Sequence, residues 1–274
     1  MDKKDLQNPA LYTNRELSWL LFNKRVLSEA RDKQLLLFER LKFLSITASN
    51  LDEFFMVRIG SLVDMIHAEY TKKDIAGMSA KEQLDALMEE THKFAALQYS
   101  TYNRMLLPQL RANGLNFVEH HEQLTERQAQ YVDEYFEENV YPVLTPMAVD
   151  SSRPFPLIRN KTLNIGALVA KKGEKDTEIE FATVQVPSVL PRVVRIPAAK
   201  EGDTEVAVLL LEEIIERNIS KLFLNYNVLC AHPFRITRNA DLAIDEDEAE
   251  DLLLEIEKQI KDITLILHDC AFLR

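Results

Sequence analysis

A chain of 274 residues, 46% apolar and 28% charged, is long enough to bury a sizeable core and to form one large or two ordinary domains. Its formal charge, 33 − 44 = −11, disfavours non-specific nucleic-acid binding and makes a polyanionic substrate awkward unless basic side chains gather locally. Only six glycines, with no G-x-x-x-x-G-K or G-x-G-x-x-G pattern, argue against a glycine-rich phosphate loop, and the two cysteines, Cys230 and Cys270, form neither a disulfide framework nor a zinc motif. The opening Met-Asp-Lys-Lys-Asp is not signal-like, and no apolar run approaches the about 18–20 residues that span a bilayer. The expectation is a soluble protein of a reducing compartment, the cytoplasm, without a transmembrane segment.

Residues 1–12 are polar and read as a loose N-terminus. From Thr13 the pattern is helical, with Leu17, Leu20 and Leu21 around the single tryptophan, Trp19, and Asn23 placed to cap a helix carrying Val26, Leu27 and Ala30 inward. The stretch from Glu39 to Arg58 reads as two amphipathic helices. One stripe is Leu37, Leu41, Leu44 and Ala48; the other is Phe55, Ile59, Leu62 and Ile66. Ser49 and Asn50 between them are good N-cap residues, with Asp52 and Glu53 three positions on, so a helix start with free N–H groups is expected there. After a loop at 71–78 containing Gly77, the capping box Ser79–Glu82 opens another helix, which runs with a kink through Pro108 until Gly114. Residues 13–110 are therefore expected to form an all-α bundle.

The texture then changes. Thr125–Gln128 opens a helix that Pro142 closes, and four prolines between Pro142 and Pro156 impose an extended path. Leu163, Ile165, Ala167 and Val169 alternate, as do Ile179 and Phe181 beyond a polar turn, which predicts an antiparallel hairpin. Val193–Ile196 and Phe234–Arg238 read as strands, Leu209–Phe223 and Asp245–Ile263 as helices, the latter with an acidic first turn. Residues 111–262 are thus expected to be an α+β domain with a mainly antiparallel sheet, followed by an apolar tail at 263–274.

No catalytic constellation emerges from residue types. None of His67, His92, His120, His121, His232 and His268 has metal-ligand spacing with another, and adjacent histidines on regular structure cannot both face one ion; no metal site is expected. The acidic runs at 134–138 and 245–251 read as solvated helix faces, and Arg153, Arg235 and Arg238 as surface ion pairs or phosphate contacts.

Five words in order carry a resemblance. Arg15-Glu-Leu-Ser-Trp-Leu-Leu-Phe-Asn-Lys-Arg-Val-Leu-Ser-Glu-Ala30, Glu39-Arg-Leu-Lys-Phe-Leu44 with Ser49-Asn-Leu-Asp-Glu-Phe-Phe-Met-Val-Arg58, Tyr141–Asp150 with Arg153-Pro-Phe-Pro156, Val186-Pro-Ser-Val-Leu-Pro-Arg192 and Phe234–Leu242 resemble the N-terminal and head domains of bacterial polyphosphate kinases of the first type. The resemblance implies reversible transfer of the terminal phosphate of ATP to polyphosphate, through a phosphohistidine and with Mg2+, in a homo-oligomer built through the head domain and able to associate peripherally with a membrane. It also implies that the phosphorylated histidine and the phosphate and metal ligands lie in C-terminal domains beyond this sequence. No histidine here matches the family's catalytic motif. The residue that carries over is Asn50, which the resemblance places over the nucleotide in the ATP site; Asp52, Glu53 and Arg58 are read as cap, dipole partner and packing or salt-bridge residues. The tail at 263–274 departs from the family. The expectation is a truncated polyphosphate kinase, inactive alone, which holds no cofactor tightly; the alternative is a non-catalytic dimerising module that binds no nucleotide.

Overall fold

The computed structural model describes residues 5–149, 158–173, 179–239 and 265–266. The chain divides into two compact units, Met1–Pro108 with Thr237–His268, and Gln109–Ile236 with Asp269–Arg274.

In the first unit Asn14, not Asn23, caps α1 (Arg15–Arg31): its side-chain oxygen accepts from the backbone N–H groups of Glu16 and Leu17, each at 3.0 Å. The second helix, α2 (Leu37–Phe54), passes straight through Ser49 and Asn50. The expected helix start at that point does not exist. Capping preference is worth about 1 kcal/mol. It is overridden because Thr47, Leu51, Phe54 and Phe55 continue one inward stripe across the site of the expected break. Ala48, assigned inward by spacing, is exposed, and Arg40 takes a place on the buried face instead. Arg40 Nε donates to the Ala30 carbonyl at 3.0 Å, in the last turn of α1, where the helix dipole favours a cation.

A wide π turn, Phe55–Ile59, joins α2 to α3 (Gly60–His67); α4 (Ala80–Thr101) follows with the expected Ser79–Glu82 capping box, then a second wide turn, Tyr102–Leu106, and α5 (Leu107–Ala112). A third wide turn, Phe136–Val140, extends α6 (Glu126–Tyr135) in the second unit. Pro108 and Pro142 each stand two residues beyond such a turn. A proline offers no N–H to the carbonyl four residues back and its ring presses on that carbonyl, here Arg104 and Glu138, so the preceding turn widens. No proline follows the turn before Gly60, where glycine is needed for space: a Cβ at residue 60 would lie 2.5 Å from the side-chain oxygen of Asn239, whose amide in turn donates to Asp64 at 2.8 Å.

The second unit begins within α5, which Gly114 ends with φ +81° as the C′ glycine. Strands β1 (Leu115–Val118), β6 (Val206–Leu210) and β5 (Val193–Ile196) make a three-stranded sheet in the order β1-β6-β5, with β1 and β6 parallel. Strands β2 (Pro146–Val149), β4 (Ile179–Gln185), β3 (Leu163–Lys171) and β7 (Tyr226–Arg235) form an antiparallel sheet in the order β2-β4-β3-β7. The expected β3–β4 hairpin is present, with Ile165, Ala167 and Val169 buried against Ala182, Val184 and the α6 face Val132 and Phe136. The expected helix from Leu209 is corrected: Leu209 and Leu210 close β6, and α7 begins at Leu211 (Leu211–Arg217), because a continuous apolar run carries no period to separate strand from helix. The expected strand Phe234–Arg238 is also divided, into the end of β7 and β8 (Thr237–Arg238), so Arg235 and Arg238 fall in different units. In the first unit, β8 pairs antiparallel with β9 (Leu265–Ile266), which falls in the expected tail. Arg153 and the helix expected from Asp245 lie outside the described residues.

Candidate functional site

The first unit holds an open cleft of about 810 Å³, walled by α1, α2, the wide turn, α3 and the loop before α4. The loop is tethered. Asn14 Nδ2 donates to Asp74 at 2.7 Å and to Gln83 at 2.8 Å, and Asp74 accepts the Met78 N–H at 2.7 Å across the turn made by Gly77 at φ +81°. One wall is aromatic: the Trp19 and Phe54 rings stack 4.6 Å apart at 11°. Four basic residues, Arg15, Arg58, Lys72 and Lys73, line the cleft against three acidic ones, Glu16, Glu53 and Asp74. In a chain of net charge −11 this is a local departure toward positive. The buried Glu16 is engaged with both arginines, at 2.7 Å from Arg15 Nε and 3.5 Å from Arg58.

Asn50 lies on the wall of this cleft. It is half-buried in mid-helix, and its Nδ2 donates to Asn23 Oδ1 at 3.0 Å; Asn23, fully buried, donates to the Thr47 carbonyl at 3.1 Å, and Gln98 donates to the Thr47 hydroxyl at 2.9 Å. A neutral network thus joins α1, α2 and α4 behind Asn50. The Asn50 side-chain oxygen has no partner among the described residues, so it can accept from a ligand. The side chain is therefore held by Asn23 rather than spent on a helix cap. Asp52 and Glu53 lie in the last turn of α2, which removes their expected roles as cap and N-terminal dipole partner, whereas the salt bridge expected of Arg58 is made with Glu16. Sequence reasoning did not single out Glu16, Lys72 or Lys73, since only folding brings them beside Asn50.

Fold and cleft define a class: a two-unit protein whose helical unit offers a cleft with aromatic, polar and basic lining. The chain belongs to the polyphosphate kinase family, residues 12–118 matching the polyphosphate kinase N-terminal domain and residues 127–263 the polyphosphate kinase middle domain. It is 48% identical over 258 residues to the polyphosphate kinase of Halalkalibacterium halodurans, covering 94% of this chain and 36% of that protein. With the polyphosphate kinase of Lactiplantibacillus plantarum it shares 48% over 250 residues, covering 91% of this chain and 34% of the relative. The crystal structure of polyphosphate kinase from Porphyromonas gingivalis matches with a TM-score of 0.73 at 29% identity, covering 91% of this chain and 37% of that one. The chain therefore spans about a third of the length of the curated relatives it matches. No described helix is long and apolar enough to cross a membrane.

Proposed function

We propose that this chain supplies the N-terminal and head domains of an ATP:polyphosphate phosphotransferase, and that its cleft forms part of the nucleotide pocket. The observation that carries the reading is the position of Asn50: the residue singled out by the family motif lines the cleft that also gathers Arg15, Arg58, Lys72 and Lys73. A carboxamide oxygen accepts from an adenine amino group or a ribose hydroxyl, and cationic side chains balance phosphate charge. The stacked Trp19 and Phe54 offer a base an apolar neighbour.

Magnesium fits this cleft poorly. Asp74 is occupied by Asn14 and the Met78 N–H, and Glu16 gives its Oε1 to Arg15 and Arg58; its buried Oε2, without a hydrogen-bond partner, lies beside two guanidinium groups that oppose a further cation. The ion enters as the counter-ion of the nucleotide phosphates rather than as a ligand of this chain. No histidine lines the cleft among the described residues. The chain by itself supplies part of a nucleotide pocket without forming a phosphohistidine, and the transferring groups come from the part of the family's length that it does not span.

The test adds the remaining domains in trans and follows ATP-dependent polyphosphate synthesis. Asn50→Ala is expected to raise the KM for ATP severalfold with a smaller change in kcat, while labelled ATP and Mg2+ leave no acid-labile phosphate on the 274-residue chain alone. An unchanged KM removes Asn50 from the nucleotide site; acid-labile label on this chain overturns its inactivity. The reading as a dimerising module without nucleotide binding draws on Leu168, Ile179 and Leu229, apolar and exposed on the four-stranded sheet. It is favoured if light scattering gives a stable dimer that ATP neither binds nor alters.

A further inference from the structure

The second unit holds a donor set that the nucleotide reading does not use. The parallel strands β1 and β6 are hydrogen-bonded neighbours and end at the same edge, β1 before the 3-10 turn His121–Gln123 and β6 directly before α7. The carboxyl edge of parallel strands is where ligands gather in α/β sheets. At this edge the imidazole of His120 and the carboxylates of Glu122 and Glu213 each present one donor atom, all within 4.8 Å of one another. His120 Nδ1 is 3.8 Å from Glu213 Oε1. The other oxygen, Glu213 Oε2, accepts the His121 backbone N–H at 2.9 Å and lies 3.2 Å from His121 Nδ1. Glu213 is thus oriented by a second residue, as ligating carboxylates commonly are.

We propose that His120, Glu122 and Glu213 bind one divalent transition ion of the zinc class. Mixed imidazole and carboxylate donors suit zinc, cobalt or nickel, whereas magnesium and calcium take oxygen donors. Donors at about 2 Å from zinc in tetrahedral array lie about 3.3 Å apart. The side chains of His120 and Glu122 are 66% and 72% exposed, so they can close that last interval by rotamer change alone, around the fixed Glu213. Three protein donors leave a coordination position for water or an anionic ligand. The bound ion ties the turn after β1 to the first turn of α7.

The test titrates zinc into the full 274-residue chain after chelator dialysis, read by competition with a chromophoric chelator and by thermal melting. One equivalent is expected to bind and to raise Tm. His120→Ala and Glu122→Gln should each weaken binding at least tenfold while melting like wild type in chelator, because both side chains are largely exposed. Cobalt substitution should give visible absorption bands that His120→Ala shifts or abolishes. Unchanged zinc affinity in the His120→Ala/Glu122→Gln double variant assigns the ion to other groups and overturns the site. Displacement of zinc by equimolar magnesium overturns the choice of ion.

Discussion

The polar centre behind Asn50 and the carboxylate cluster at the β1–β6 edge both gather polar groups between elements, and they are built oppositely. In the helical unit the groups are neutral: Asn50 donates to Asn23, Asn23 to the Thr47 carbonyl and Gln98 to the Thr47 hydroxyl. In the second unit Glu122, Glu213 and Glu216 share one sign, and histidines are their neighbours. A neutral network keeps the same energy at every ordinary pH, so it can hold a cleft wall rigid. A carboxylate cluster holds a state that depends on protons and cations. The first arrangement suits positioning, and the second suits response.

The comparison breaks most visibly if the aromatic wall is removed. Phe54, fully buried and stacked on Trp19, should cost about 3–5 kcal/mol when changed to Ala. Urea unfolding measures that loss, and the emission of the single tryptophan should move to the red in the folded state. Asn23→Ala sharpens the comparison. It leaves the donor of Asn50 without its acceptor and should cost about 1–3 kcal/mol, independent of pH between 6 and 8. A pH-dependent loss would mean that the network contains an ionised group.

Glu216→Gln tests the opposite behaviour and has the smallest effect. The Glu216 carboxyl, raised from its ordinary 4.5 to about 7, faces Glu213 and Glu122, with His232 Nδ1 at 3.5 Å. A raised carboxyl binds its proton more tightly in the folded state, so its contribution is fully present below 4.5 and is lost as pH rises through 7. The glutamine variant, melted in chelator, should match wild type at pH 4 and be more stable at pH 8. Parallel melting curves at both pH values would remove the crowded-charge description.

Much of this was legible in the residues. The capping boxes at Ser79 and Thr125 are local chemistry and form as their spacing requires. The β3–β4 hairpin and β5 follow from alternation, and Gly114 ends its helix because only a residue tolerant of positive φ fits there. The break signalled by Ser49 and Asn50 does not form, because capping preference is weak against a buried stripe that continues through it. Strand β1, of four residues, and its parallel pairing with β6 left no pattern, since the partner lies some 90 residues away.

The sequence by itself determined the family and the two kinds of architecture, because motifs, caps and periodicity act between neighbours in the chain, and the family resemblance pointed to Asn50. Only the tertiary structure decided what surrounds that residue. Asn50 sits in mid-helix, held by Asn23, in a cleft whose basic rim comes from three separate segments. The same holds for His120, Glu122 and Glu213, which meet only because two distant strands run side by side and end together. Non-local pairing follows from burying apolar faces against one another, and no local pattern encodes which polar groups that burial will bring into contact.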